Sequence, residues 1–287
     1  MKKLVNVALF LSMLSSVFAF EFPNEVKIGG FALGPQLWSF HTFTFAEGAF
    51  KAKEAGASVI EAFPGQQICP KDKARFDHNA DPAVWAHAKL IMEHAGVMLV
   101  NYGVVGWKND AEMERVFAFA KVMGIPAITV EPRDHSPEAL DKIEAMIQKY
   151  NIKVGIHNHP QQPRNKAYIY WNPDKVLELV KDRDPRLGLA CDTGHWLRSG
   201  VDPLEAIKKA KGRIISLHLK DLNEKGNRDA HDVPFGTGVA NVDEILKELK
   251  RQNFQGNISI EYESNWENNV PEIRQCIDFV RKAGSPF

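Results

Sequence analysis

The stretch Leu189-Ala190-Cys191-Asp192-Thr193-Gly194-His195-Trp196 decides how this chain is read. It runs as a short apolar strand that stops on a carboxylate, with an imidazole three residues further on. Two explanations compete. Asp is a good helix N-cap, so Asp192 could simply open a helix while His195 packs. Alternatively the strand ends at a metal site, since carboxylate and imidazole both ligate divalent ions. The flanking sequence chooses between them.

Outward from this stretch the chain alternates. Short β-rich runs end near Trp38, Ala62, Tyr102, Glu131, His157, Asp192, His218 and Glu261. Amphipathic runs start near Thr44, Asp81, Asn109, Ser136, Asn172, Asp202, Asn241 and Asn269. At Asp81, Ser136, Asn172 and Asp202 a capping residue precedes Pro at the first helical position, where the missing N–H costs nothing. Gly56, Gly96, Gly124, Gly212 and Gly284 mark helix stops. Eight such units fit a single (β/α)8 TIM barrel. A doubly wound sheet would also alternate, but the first strand-to-helix turn carries no G-x-G-x-x-G.

Strand parity adds detail. Taking each last residue as inward, the period of two puts Ala127, Thr129, Gly155, Gly188, Ala190, Ser216 and Ser259 inside. All are small or polar. Ile128, Val130, Val154, Ile156, Leu187, Leu189, Ile215, Leu217, Ile258 and Ile260 then face the helices. Small residues near the top of the barrel leave room for a ligand.

The chain has 287 residues, with 36 basic and 36 acidic side chains, 44% hydrophobic and 25% charged. This balance gives no electrostatic reason to bind nucleic acid or an anionic membrane. M-K-K, an apolar run from Leu4 to Leu14 and S-S-V-F-A read as a secretory signal peptide over residues 1–19, cut after Ala19. Residues 20–287 then form the barrel domain. The expected location is secreted or periplasmic, with no membrane anchor after cleavage. Cys69, Cys191 and Cys276 are widely spaced and odd in number, and free thiols are expected.

Four strand ends carry chemistry: Glu131, Asp192, His218 and Glu261. In a (β/α)8 barrel they converge at the carboxyl mouth. Three carboxylates at one point repel unless a cation lies between them. One divalent ion, Mn²⁺, Mg²⁺, Co²⁺ or Zn²⁺, fits three oxygens and an imidazole. Lys220, two residues past His218, can reach the mouth to bind an enolate oxygen or a carboxylate; a salt bridge with Asp221 or another acid is the plainer alternative. His157 can hold a substrate hydroxyl or merely meet a backbone carbonyl. Trp38, Trp107 and Trp196 offer faces on which a sugar can stack, with Phe40 and Tyr102 near them.

These residues resemble the xylose-isomerase-like (β/α)8 superfamily, in its sugar isomerase/epimerase branch. The resemblance implies that Glu131, Asp192, His218 and Glu261 bind one metal, that Glu131 and Glu261 also transfer protons, and that His195 contacts substrate or a further metal. The run His231 to Asp243 is similar to the family's glycine-bearing loop. Three-zinc endonucleases share the superfamily, and Asp229 and His231 match ligands of their third metal. The further His ligands of those enzymes are missing from E-A-F-P-G and N-Y-G-V-V-G, so nucleic acid is not an expected partner.

The function expected is a metal-dependent sugar isomerase or epimerase working through an enediolate. A 3-keto-glycoside lyase or hydratase shares the first step and stays open, as do a metal-dependent hydrolase and a silent sugar-binding barrel. The partner is a small sugar, more readily neutral than phosphorylated because no Gly-rich phosphate loop is present. Homo-oligomerisation stays open.

Overall fold

The computed structural model describes residues 20–284, so the leader expected over residues 1–19 lies outside the described residues. Eight parallel strands form one sheet: β1 Ala32–Pro35, β2 Val59–Ala62, β3 Met98–Val105, β4 Ala127–Val130, β5 Lys153–His157, β6 Leu187–Asp192, β7 Ile214–Leu219 and β8 Asn257–Ile260. From β2 to β8 each strand pairs with the next, and β8 returns to pair with β1. A parallel bridge between Gln36 and Glu61 joins the ends of β1 and β2 and closes the barrel.

The connecting helices are α1 Phe45–Ala55, α2 Pro82–Ala95, α3 Asp110–Met123, α4 Pro137–Tyr150, α5 Pro173–Val180, α6 Pro203–Lys209, α7 Val242–Arg251 and α8 Val270–Gly284. The expected caps form. Asp81, Ser136, Asn172 and Asp202 each accept a first-turn N–H ahead of Pro. Thr44 and Glu47 make a reciprocal capping box at α1. Gly56, Gly96 and Gly124 end their helices in the left-handed conformation that only Gly adopts cheaply. No helix among the described residues is long and apolar enough to cross a membrane.

The parity reading holds for nine of the ten outward strand residues: Ile128, Val130, Val154, Ile156, Leu187, Leu189, Leu217, Ile258 and Ile260 are buried in the main core, whereas Ile215, beside a register shift, is buried outside that cluster against Gly188. Cys69, Cys191 and Cys276 are free.

Two strand ends depart from expectation. β1 stops at Pro35, short of Trp38, because Gln36 accepts the N–H of Trp38 at 2.5 Å and caps a 3₁₀ turn over Leu37–Phe40. β3 runs on past Tyr102 to Val105. Tyr102 and Phe40 are consequently fully buried core residues and do not border the mouth. A ribbon of Gln66–Cys69 with Asp72–Phe76 extends the β2–α2 connection.

Candidate active site

Within the stretch Leu189–Trp196, Asp192 caps a helix with one carboxylate oxygen and keeps the other to spare. Asp192 Oδ1 accepts the backbone N–H of His195 at 2.6 Å and opens the short helix Thr193–Arg198. Its other oxygen, Oδ2, is buried without a hydrogen-bond partner. Oδ2 lies 3.7 Å from His157 Nε2, 3.9 Å from His218 Nδ1 and 3.3 Å from Lys220 Nζ. A carboxylate has lone pairs enough for a cap and a ligand position at once.

Neighbouring side chains hold Asp192 in place. Asn158, just past β5, clamps its backbone: the Asp192 N–H donates to Asn158 Oδ1 at 2.9 Å and Asn158 Nδ2 donates to the Asp192 carbonyl at 3.0 Å. Thr193 does the same for Lys220, with two bonds of 2.8 Å. Gly194 is required because a Cβ there would lie 2.6 Å from Lys220 Cδ and 2.8 Å from its Cβ. The D-T-G-H run thus packs the end of β6 against the chain leaving β7.

Residues of β5, β6 and β7 converge with the residue just past β8: ligand atoms of His157, Asp192, His218 and Glu261 all lie within 4.8 Å of one another, and all four residues are buried. Both ring nitrogens of His157, Oδ2 of Asp192 and Nδ1 of His218 lack hydrogen-bond partners. Buried polar atoms are almost always satisfied, so orphaned atoms converging on one point fit a bound cation. The donor set of imidazoles and carboxylates suits a divalent transition ion or Mg²⁺.

Glu131 stands at the edge of this group. Its carboxylate shares a second cluster with His157 and His159, and Oε2 lies 2.5 Å from His159 Nδ1. Burial works against charge on both partners, yet their pairing lowers the Glu131 pKa and raises that of His159. Tyr168, in the β5–α5 loop, accepts the His159 N–H at 2.6 Å and so fixes the approach.

Lys220 is fully buried, with Nζ 3.3 Å from Asp192, 2.8 Å from Glu261 and 2.6 Å from Glu263. Burial opposes its charge, but Asp192, Glu261 and Glu263 outweigh it and raise the pKa well above the ordinary lysine value. Burial likewise opposes charge on Glu261, and Lys220 and His218 overcome it, holding its carboxyl well below the usual range. Asp221 is not the partner of Lys220. It accepts the N–H groups of Gly236, Gly238 and Ala240 and folds the glycine-bearing loop.

His195 is neutral, since burial drives its pKa well below the ordinary value. Arg198 Nη1 lies 3.2 Å from His195 Nδ1. A guanidinium can only donate, so Nδ1 is the acceptor and Nε2 carries the proton. His195 therefore offers a hydrogen-bond donor at the mouth. Arg198 is itself held by Glu263 and by the Ala230 carbonyl.

His157, His159, His195 and Glu261 line a cavity of about 360 Å³ together with Trp38 and Phe63. Trp38 is 40% exposed and meets Phe63 edge-on at 5.1 Å. Trp107 lines a neighbouring cavity of about 270 Å³ with Glu131 and Arg133. Trp196 is elsewhere: at 1% exposure it belongs to the core beneath its helix and offers no face to a ligand. Asp229 and His231 are exposed on the loop after β7 and form no ligand cluster with His195. His195 instead groups with Glu261 and Glu263.

His159, Tyr168 and Arg198 escape the sequence reading, and so do three more residues. Glu263 is legible by the same period of two, as it follows Glu261 by two residues. Asn158 in H-N-H gives no local sign of its clamp. Glu61, buried behind His218, is a third.

Residues 50–283 match the family described as xylose isomerase-like TIM barrel. A crystallised uncharacterized protein of Parabacteroides distasonis is 34% identical, with a TM-score of 0.69 over 87% of this chain and 98% of that one. A D-tagatose 3-epimerase-like protein shares the fold at 20% identity, with a TM-score of 0.66 over 88% of this chain and 96% of that one. Among curated proteins, an inosose dehydratase of Clostridium perfringens is 26% identical over 162 residues, 51% of this chain and 50% of that protein. The match spans about half the length of these curated relatives.

Proposed function

The chain belongs to the xylose isomerase-like TIM barrel family, and on that premise we propose that it is a metal-dependent enzyme that removes a proton from the carbon beside a sugar carbonyl, returning it as an isomerase or epimerase does. The observation that carries this reading is the convergence of orphaned buried atoms of His157, Asp192 and His218 beside Glu261. When bound there, a divalent ion supplies a Lewis acid that polarises the carbonyl and its neighbouring hydroxyl.

The chain's own residues do the rest. Glu261 borders both the ligand cluster and the cavity, so it takes the proton and leaves an enediolate. A proton returns from the other side through the Glu131–His159 pair, in which His159 carries it against the Glu131 carboxylate. Glu131 also stands as the strand-four ligand that the family resemblance implies. His195 donates Nε2–H to a substrate oxygen. Lys220 places an ammonium where negative charge develops. Trp38 and Trp107 present aromatic faces to the sugar. Lys220 and Arg198 are both paired with carboxylates, which favours a neutral substrate over a phosphorylated one.

Similarity to inosose dehydratases supports elimination as a second reading. The first step is the same; a departing hydroxyl or C1 group would then take its proton from His159, which the Glu131 carboxylate keeps charged at the cavity wall.

Incubation of metal-loaded protein in D₂O with ketoses, aldoses, inososes and 3-keto-glycosides, followed by NMR, tests both. Deuterium should enter beside the carbonyl. A returned or epimerised sugar marks an isomerase, and loss of a substituent marks a lyase. Glu261→Gln should slow exchange by roughly 10²-fold or more, as for loss of a general base. Turnover without deuterium on carbon would refute proton abstraction.

A further inference from the structure

Glu61 sits where an apolar strand should not hold a carboxylate. β2 reads Val59-Ile60-Glu61-Ala62, and simple alternation with Ala62 inward would turn Glu61 toward the helices. Ile60 and Ala62 instead both pack in the main core on the outer side, so plain alternation turns Glu61 inward, and the register shift with β3 only takes up Val100 on that strand. Glu61 enters the barrel and is 0% exposed.

Inside, Oε1 lies 3.1 Å from His218 Nε2 and Oε2 accepts the Ser259 hydroxyl at 2.5 Å. Asn257 donates to Ser259 at 2.9 Å, and Asn101 donates to Asn257 at 3.2 Å. Glu61 is therefore tethered through a buried polar chain running from β8 to β3. Among the described residues no lysine or arginine pairs with it, and its ion-pair partner is His218. A carboxylate buried on these terms is costly unless its partner gives something back.

We propose that Glu61 is a positioning residue: it accepts the Nε2–H of His218, fixes that ring's tautomer and orientation, and so aims the Nδ1 lone pair at the ion site. His218 Nδ1 is the orphaned nitrogen, 3.3 Å from Glu261 and 3.9 Å from Asp192. Carboxylate partners of this kind orient ligating imidazoles and raise their basicity. The inference rests on the proposed metal site, but Glu61 itself touches neither substrate nor ion.

The test is Zn²⁺ binding by calorimetry to metal-free wild type, Glu61→Gln and Glu61→Leu, with ¹⁵N NMR of the His218 ring in the Zn²⁺-loaded proteins. Gln can still accept from Nε2 but lacks the charge; Leu can do neither. The expected order of affinity is wild type, then Gln about 10-fold weaker, then Leu about 100-fold weaker, the range found for such partners. The Nε2-protonated ring pattern should persist with Gln and be lost with Leu. If Glu61→Leu does not fold, Glu61→Gln carries the comparison. Wild-type protein that binds no Zn²⁺ overturns the metal site itself. Wild type that binds, with variants binding equally well and an unchanged ring pattern, overturns the role of Glu61 and leaves the metal site standing.

Discussion

Lys220 holds its ammonium 2.8 Å from the carboxylate of Glu261, within the ring of acids that would receive a metal ion. The same ammonium reaches Asp192 and Glu263. The chain thus carries an internal cation beside its proposed ion site. That arrangement keeps Asp192 and Glu261 ionised in a buried place, where unpaired they would repel and protonate.

Removing this internal cation should expose its value. In Lys220→Met the carboxylates lose their buried partner, a change that typically costs about 3–5 kcal/mol. Thermal unfolding in EDTA should show a clear fall in Tm. Added Mn²⁺ should recover much of the loss, because an ion replaces the missing charge. An unchanged Tm in EDTA would mean that the lysine contributes nothing to the cluster.

The ion site itself predicts stoichiometry. Elemental analysis of reconstituted protein should find about one divalent ion per chain, a single cluster of ligands being sufficient for it. His218→Ala should lose the ion while circular dichroism stays native. A metal-free wild type after reconstitution would remove the site.

Asp192 separates its two duties by substitution. Asn caps helices about as well as Asp, so Asp192→Asn should keep the short helix and much of the stability but lose ion affinity. Asp192→Ala should lose both, with a further cost of about 1 kcal/mol for the missing cap. Equal urea stability of the two variants would show that the cap carries no weight.

Asp232 predicts a pH dependence. Burial pushes its carboxyl up to about 7, against the pull of Lys220 and Arg198. Between an unfolded value of about 4 and that raised value, the folded chain holds a proton that the unfolded chain has released. Stability contributed by this group therefore falls as pH rises through that window and stays lower above it. Urea unfolding from pH 5 to 8 should decline more steeply for wild type than for Asp232→Asn. Parallel profiles would contradict the assignment.

The amino-acid sequence by itself determined the barrel and the strand ends that face its mouth. Both follow from local rules: a capping residue before Pro opens a helix, Gly closes it, and a period of two separates Ile128 and Val130 from Thr129. Tertiary structure decided which of those strand-end groups share one point. His157 joins Asp192, His218 and Glu261 in the tightest cluster, while Glu131 turns to His159. Lys220 goes to Glu261 and Glu263, with Asp221 occupied by backbone N–H groups. Trp196 sinks into the core, and Asp229 and His231 stay in solvent. Glu61 reaches His218 because Ile60 and Ala62 take the outer side of β2 and leave Glu61 to face across the barrel. Such outcomes depend on register between strands and on which buried charge finds a partner, and both are set by contacts between segments far apart in the chain.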